Sequence, residues 1–477
     1  MKKVRILLIV SAAVLVCIGA YLLLSAYMST TLRTIKQPVR PPLTPVAVDT
    51  SYSFINYDTN HLYIAPDSTL MRKFFDKWLH IAATGQGTLN IVHIGGSHVQ
   101  GGTLPHRIRC NILYYYPDLV GSRGMIFPYS AARKCNNPAD YKVSRSYPLA
   151  LTRNVYKEPQ QKLGLCGIAV TARDSAASIS IALNEDRYDF ATTQVTLLGE
   201  SPEGVVPFVS CGGRDLYPSR IDTIMHRYVY NLAAATDTLR ILMPCDSGQS
   251  FTLRGVLLRN KQGGISYHAI GVNGAAVPDY LRCPYLVDDL RMVNPDLVIF
   301  GIGINDASGP NFDPEVFHRN YLQLVDSIRA VNPDCAFIFI TNNDSFKKVK
   351  RRTYHVNNNG PKVRDICYRL ADETKGAVWD QFTVMGGLKS MDQWRLAGMA
   401  QYDRVHFTKK GYEMVADLFS NALIEGLKYH SGQRAAESAA APQPAVPPVK
   451  EQNHNSTYSD ERRISTQSDD RYPYISY

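Results

Sequence analysis

Four short clusters in this sequence put polar side chains where chemistry is possible. Gly95-Gly96-Ser97-His98 sets a serine hydroxyl behind two glycines, which permit a turn sharp enough to lift it into a cleft. Taken alone, such a turn is common. Asp403-Arg404-Val405-His406 sets a carboxylate three residues before an imidazole. On one loop the two form a pair in which the carboxylate fixes the ring's tautomer and supports its charged form. Gly303-Ile304-Asn305-Asp306 offers an amide donor for an oxyanion or, more blandly, an asparagine that caps its own loop. Gly271-Val272-Asn273-Gly274 offers a backbone N–H that a glycine lets come close to a ligand. Nucleophile, base, orienting carboxylate and N–H donors are together the components of an acyl-transfer site.

The clusters matter only if a fold brings them together. Leu89–Ile94, Ile265–Ile270 and Leu297–Gly301 read as short apolar strands, and each is followed at once by one of the clusters. Helical patterns cover His106–Tyr115, Val277–Val293, Pro314–Val331, residues 361–375 and Lys409–Tyr429. Strands Cys335–Thr341 and Ala377–Asp380 complete the alternation. Alternating strands and helices predict a parallel sheet covered on both faces, with ligands beyond the carboxyl ends of the strands. Three clusters sit at such ends, and the Asp403–His406 cluster just precedes the last helix. Between residues 134 and 263 the pattern changes to short, turn-bounded strands: Ser178–Leu183, Gln194–Leu198, Val205–Val209, Arg227–Leu232, Thr238–Met243 and Phe251–Arg259. This spacing predicts an antiparallel β-sandwich or jelly roll inserted into the α/β domain.

The set of clusters, in this order, resembles the SGNH (GDSL-type) hydrolases, with Ser97, Gly274, Asn305 and His406 at the four name-giving positions. The stretches Gly121–Tyr129 (GSRGMIFPY), YHAIGVNGA and DRVHFTKKGY are similar to the peptidoglycan O-acetylesterase branch, in which a carbohydrate-binding-module-like β-domain interrupts the hydrolase. The resemblance implies a three-layer α/β/α, flavodoxin-like hydrolase. It implies catalysis by Ser97, Asp403 and His406, an oxyanion hole of Ser97, Gly274 and Asn305, and neither metal nor organic cofactor. One departure stands out: the family has Asp before the serine, and here Gly96 takes that place. His98 and Asp306 flank the site and are assigned no role beyond supporting its loops.

Charge and hydropathy locate the remaining regions. Of the 477 residues 45% are hydrophobic and 20% charged, which excludes wholesale disorder. The net charge of +10 is unevenly spread: residues 1–40 hold six basic groups and no acid, and the body is only mildly basic. No basic run interleaved with aromatics occurs in that body, which argues against nucleic acid as a partner. The basic residues bracket the uncharged run Ile6–Met28, about 34 Å long as a helix at ~1.5 Å per residue. That length favours a single-pass signal anchor over a cleaved signal peptide, whose cleavage candidate is Ser25-Ala26. Charge on both flanks does not fix the orientation, but either reading puts the body outside the cytoplasm, in the periplasm.

The expected layout is an anchor (1–30), a proline-rich linker (31–59), a first hydrolase segment (60–133), the β insert (134–263), a second hydrolase segment (264–429) and a disordered tail (430–477). Nine cysteines, Cys17 among them, show no disulfide framework and no C-x-x-C. The reading is a serine esterase that removes O-acetyl groups from peptidoglycan or another envelope glycan. An O-acetyltransferase and a non-catalytic glycan-binding protein are the alternatives. The oligomeric state is left open.

Overall fold

The computed structural model describes residues 45–115, 119–132, 135, 138–183, 190, 192–350 and 353–440. The chain divides into a body that runs to Gly432 and a terminal unit from Gln433, of which only the helical residues to Ala440 are described. The expected anchor lies outside the described residues, as does the tail beyond Ala440. Among the described residues no helix is long and apolar enough to cross a membrane.

The central sheet is built from β1 (Leu62–Ile64), β2 (Thr88–Gly95), β3 (Gly121–Ser122), β4 (Gly264–Gly271), β5 (Leu297–Gly301), β6 (Ala336–Ile340) and β7 (Ala377–Trp379). Its order is β1-β7-β6-β5-β2-β4-β3. From β7 to β3 every pairing is parallel, while β1 pairs antiparallel with β7 at the edge. Counted along the chain, the five main parallel strands follow the flavodoxin-like order 2-1-3-4-5, whose switch point falls between β2 and β5. The strands read as continuous apolar runs because helices cover both faces; every residue of β6 is buried.

The helices that cover this sheet or carry the site include α1 (Thr69–Thr84), α2 (Ser97–Gln100), α3 (Thr103–Tyr115), α4 (Val277–Leu281), α5 (Leu286–Val293), α6 (Pro314–Arg329), α7 (Gly360–Thr374) and α8 (Lys409–Ala440). In one layer α6 packs on α4, α5 and α7. In the other, α3 is tied to α8 by Arg107 and Asn111 on Asp417 (2.8 and 2.7 Å), and α1 to α8 by Asp76 on His430 (2.7 Å). Asp313 caps α6 by accepting from the N–H groups of Glu315 and Val316, with Pro314 opening the helix.

Between β3 and β4 the described strands pair antiparallel, in two further sheets. One has five strands and holds Tyr141–Arg145, Ser178–Leu183 and Thr238–Leu242. The other is centred on Thr192–Glu200 and Phe251–Arg259. Strands Ser178–Leu183 and Phe251–Arg259 fall where the apolar alternation predicts them. The second sheet also takes in Gly124–Ile126, which pairs with Val256–Leu258, so this block grips the hydrolase through residues that precede it.

Several expectations need correction. The helix expected over Val277–Val293 is two helices, broken around Pro284, whose ring and missing N–H cannot continue a helix. The last helix was expected to end at Tyr429 and runs to Ala440, so the beginning of the expected disordered tail is helical. Its Arg, Ala and Glu residues are good helix formers. Residues 46–59 were expected in the linker but pack on the body. Asn421 takes both the N–H and the carbonyl of Val46 (2.8 and 2.9 Å), Ile55 is buried, and Phe54 lies edge-on to Trp394. Helix α1, with Leu70, Met71, Phe74, Phe75, Trp78 and Ile81 buried along one stripe, was not anticipated. All eight described cysteines are free thiols.

Candidate active site

Three glycines, Gly271, Gly95 and Gly301, stand level across β4, β2 and β5 at the carboxyl ends of these strands. A Cβ on Gly95 would lie 2.3 Å from the Val99 side chain, one on Gly271 2.4 Å from the Gln100 backbone, and one on Gly301 2.8 Å from the His93 ring. The bare backbone of this row lets the helical turn α2 settle onto the sheet end. Ser97 opens that turn, two residues past the row. It follows Gly96, which sits at φ −100° and ψ −134°. A Cβ there would come 3.3 Å from Asn305 Nδ2, a tight but small overlap.

Ser97 Oγ lies 2.8 Å from His406 Nε2, and His406 Nδ1 lies 2.7 Å from Asp403 Oδ2. The carboxylate holds the ring proton on Nδ1, which leaves Nε2 free to accept from the serine hydroxyl. The other oxygen, Asp403 Oδ1, accepts from the backbone N–H groups of Val405 and His406 (2.9 and 3.0 Å). Burial pushes the Asp403 carboxyl up, but the hydrogen bonds from the His406 ring and from these two N–H groups outweigh it and hold it at about 2. It is therefore ionised across the physiological range. The side chains of His406 and Asp403 remain 33% and 45% exposed, so the site is an open one that a bulky substrate can reach.

Arg404, between these two residues, has φ +57°, a region side chains rarely enter. Its guanidinium lies over the rings of Phe346 and Tyr354 (5.1 and 4.7 Å to the centroids) and its Nε 3.1 Å from Asp392. These contacts hold the turn that lets Asp403 reach forward to His406.

Asn305 donates from Nδ2 to the Ala275 carbonyl (2.9 Å), which fixes the amide beside Gly96 and leaves its second N–H to point elsewhere. Gly274 has φ +85°, and nothing lies within 4 Å of where its Cβ would be. Glycine is needed there for conformation, and the space is open for a ligand. The loop carrying it is held from outside: the Asn273 N–H donates to Gln100 Oε1 (2.7 Å), and Arg153 of the antiparallel block donates to the Asn273 carbonyl. Asp306 accepts from the Val277 N–H (3.1 Å), and burial pushes its carboxyl up to about 6. His98 bonds Tyr412 through Nδ1 (2.9 Å), with its ring centre 5.2 Å from that of His406; burial pushes it down to about 3, so it is a neutral packing neighbour.

Ser97, Asp403, His406, Gly274 and Asn305 thus come from four separate loops to one place. Sequence reasoning missed Gln100, Arg153 and Arg404. In the sequence the Arg404 loop stands out only for its neighbours, and Arg153 carries no signal at all. Among the described residues no group of three or more His, Cys, Asp or Glu is arranged to hold a metal ion.

Residues 243–414 match the GDSL-like lipase/acylhydrolase family. That stretch contains Gly274, Asn305, Asp403 and His406; Ser97 lies ahead of it, beyond the antiparallel block. A solved peptidoglycan O-acetylesterase is similar in fold at 22% identity, covering 77% of this chain and 99% of that one with a TM-score of 0.64. An acetyl xylan esterase matches at 22% identity over 34% of this chain and 82% of its own, with a TM-score of 0.27. A family two carbohydrate esterase from Cellvibrio japonicus matches at 10% identity over 61% and 98%, with a TM-score of 0.26. The last two likenesses are too slight to argue from. No curated protein matches the chain.

Proposed function

We propose that this chain, whose residues 243–414 match the GDSL-like lipase/acylhydrolase family, is a serine-dependent O-acetylesterase of a cell-envelope glycan, peptidoglycan first among candidates. The observation that carries this reading is the unbroken hydrogen-bond chain from Ser97 through His406 to Asp403, at the switch point of the sheet. The fold likeness to a peptidoglycan O-acetylesterase supports the choice of polymer.

In the proposed reaction Ser97 Oγ attacks the acetyl carbonyl as its proton passes to His406 Nε2. The oxyanion is held by the Ser97 and Gly274 N–H groups and the free amide N–H of Asn305, each donor worth up to about 3–4 kcal/mol in the transition state. The first N–H of a helical turn has no acceptor within that turn, so that of Ser97 is available. Collapse expels the sugar oxygen, which takes the proton from His406 and leaves as the hydroxyl. Water, giving a proton to His406, then attacks acetyl-Ser97; acetate leaves as His406 returns that proton to Ser97 Oγ. The segment Ile6–Met28 would tether the chain by a single membrane pass, with Lys36–Pro45 as a stiff spacer and the body in the periplasm.

The test is acetate release by the full chain from O-acetylated peptidoglycan. Ser97→Ala is expected to lower kcat by at least about 10⁴-fold, and equal release by the variant would sink the assignment. If a sugar acceptor receives more acetyl than water does, the protein is a transferase.

A further inference from the structure

Residues 346–356 hold no Asp or Glu but carry Lys347, Lys348 and Lys350 in the first half. Within this stretch Phe346–Lys350 pairs with Thr353–Val356 as a two-stranded sheet that joins no other sheet among the described residues. A lone hairpin has little stability of its own, so what fixes this one is its base. The Phe346 N–H donates to the Arg404 carbonyl (3.1 Å), and Arg404 stacks on Phe346 and Tyr354. Asn343 donates to the Val405 carbonyl (3.0 Å). On the other side Asn357 and Asn359 donate to the Ala307 carbonyl (3.2 and 2.9 Å), two residues beyond Asn305. The base therefore bridges the loop of Asp403 and His406 and the loop of Asn305.

Away from that base Lys348, Val349, Lys350, Thr353 and His355 are exposed. None of the three lysines has an acidic partner among the described residues. At ~3.3 Å per residue a strand of this length spans about 13 Å, enough to meet several groups along one extended chain. Unpaired charges on a rigid mount beside a reactive site attract an oppositely charged polymer, each contact weak and their sum larger.

We infer that this hairpin docks a polyanionic glycan, its lysines holding carboxylates of the chain while one of its esters enters the Ser97 site. The inference rests on the esterase reading above and adds a substrate class to it: carboxylate-bearing rather than neutral polysaccharide. Lysines on a lone hairpin also guard against edge-to-edge aggregation, and the experiment separates the two roles.

Full-length protein with Lys348→Gln and Lys350→Gln is compared with wild type on O-acetylated polygalacturonate, O-acetylated xylan and 4-nitrophenyl acetate. The double variant is expected to lose about three- to tenfold in kcat/KM on the polygalacturonate at low salt. It should stay within about twofold on the two neutral esters, and the difference should vanish at about 0.5 M salt. Lys348→Arg with Lys350→Arg should restore the wild-type rate. No loss on the polyanion, or an equal loss on all three esters, overturns the proposal. Should wild type cleave none of the three, the esterase reading is what fails. Co-sedimentation with de-esterified polygalacturonate then decides: retention of wild type and loss of the variant supports the docking role, and equal behaviour overturns it. Lysine-dependent binding to phosphatidylglycerol–phosphatidylcholine vesicles, with polyanion turnover unchanged, assigns the hairpin to a membrane surface instead.

Discussion

The two halves of the site are built in opposite ways. The acid–base pair itself is local: Asp403 binds the ring and the N–H of His406 and the N–H of Val405, all within three residues, and more distant residues such as Asn343 and Phe346 brace only the backbone outside it. The oxyanion half is assembled from afar. The loop of Gly274 is held by Gln100, 173 positions away, and by Arg153, 120 positions away in the antiparallel block. A local turn keeps its geometry through its own hydrogen bonds, whereas a loop braced by distant side chains inherits every shift of its supports. The base should therefore be the sturdier half and the oxyanion hole the more easily detuned one.

The contrast is tested hardest at the acid–base pair. Asp403→Asn, which takes the negative charge from the ring, is expected to lower kcat on the order of 10³–10⁴-fold with the fold intact by circular dichroism. A tenfold loss would mean that the backbone bonds of the loop, and not the charge, do the orienting. Next, Asn305→Ala should lower kcat about 10²- to 10³-fold with little change in KM, because its free N–H meets charge that exists only in the transition state. Steady-state kinetics on a soluble acetyl ester reads both.

A paired measurement then sets the braces against each other. Arg153→Gln removes a charged donor from the Asn273 carbonyl and should lower kcat about tenfold. Arg404→Ala removes the aromatic stacking and the Asp392 pair from a loop that keeps its own hydrogen bonds and those of Phe346 and Asn343, and should lower kcat about two- to threefold. The reverse order would show that the local turn depends on its clamp.

The smallest effect concerns the floor under both halves. Burial holds His93 and His98 at about 3 against 6.5 when unfolded. Below 6.5 the unfolded chain gains protons that these rings refuse, so stability falls as pH drops from 6.5 toward 3. His106 goes the other way. Burial would lower it, but its bond to Asp140 raises it to about 9, so its contribution is full below 6.5 and lost as pH rises through 9. Urea midpoints at about pH 4.5, 6.5 and 9.5 should peak at the middle value. A flat profile would show that these rings titrate alike folded and unfolded.

The same division explains what could be read from the amino acids. Leu297–Gly301 and Phe251–Arg259 are apolar runs bounded by polar turns, and they fall where expected. Asp403 and His406 could be paired on paper because the contact is short-range. Ser97, Gly274 and Asn305 could be placed because each follows a strand end. Arg153 and Gln100 could not, since nothing near them in the chain hints at Asn273. The hairpin at 346–356 was invisible for another reason: with charge on both faces it shows no strand period. Residues 46–59 were misjudged because proline marks a spacer, while the aromatics beyond it find Trp394 only in three dimensions.

Strand β2, which ends at the nucleophile, lies between β4 and β5, and both are made long after it. Ser97 and its base are 309 positions apart. During synthesis, then, the strand waits with both edges bare while the antiparallel block is completed, a period in which it can pair wrongly. Throughout that time Ser97 has no imidazole beside it and is an ordinary alcohol. Reactivity arrives only when the loop before the last helix is in place, so a chain cut short or still emerging carries the serine without its chemistry.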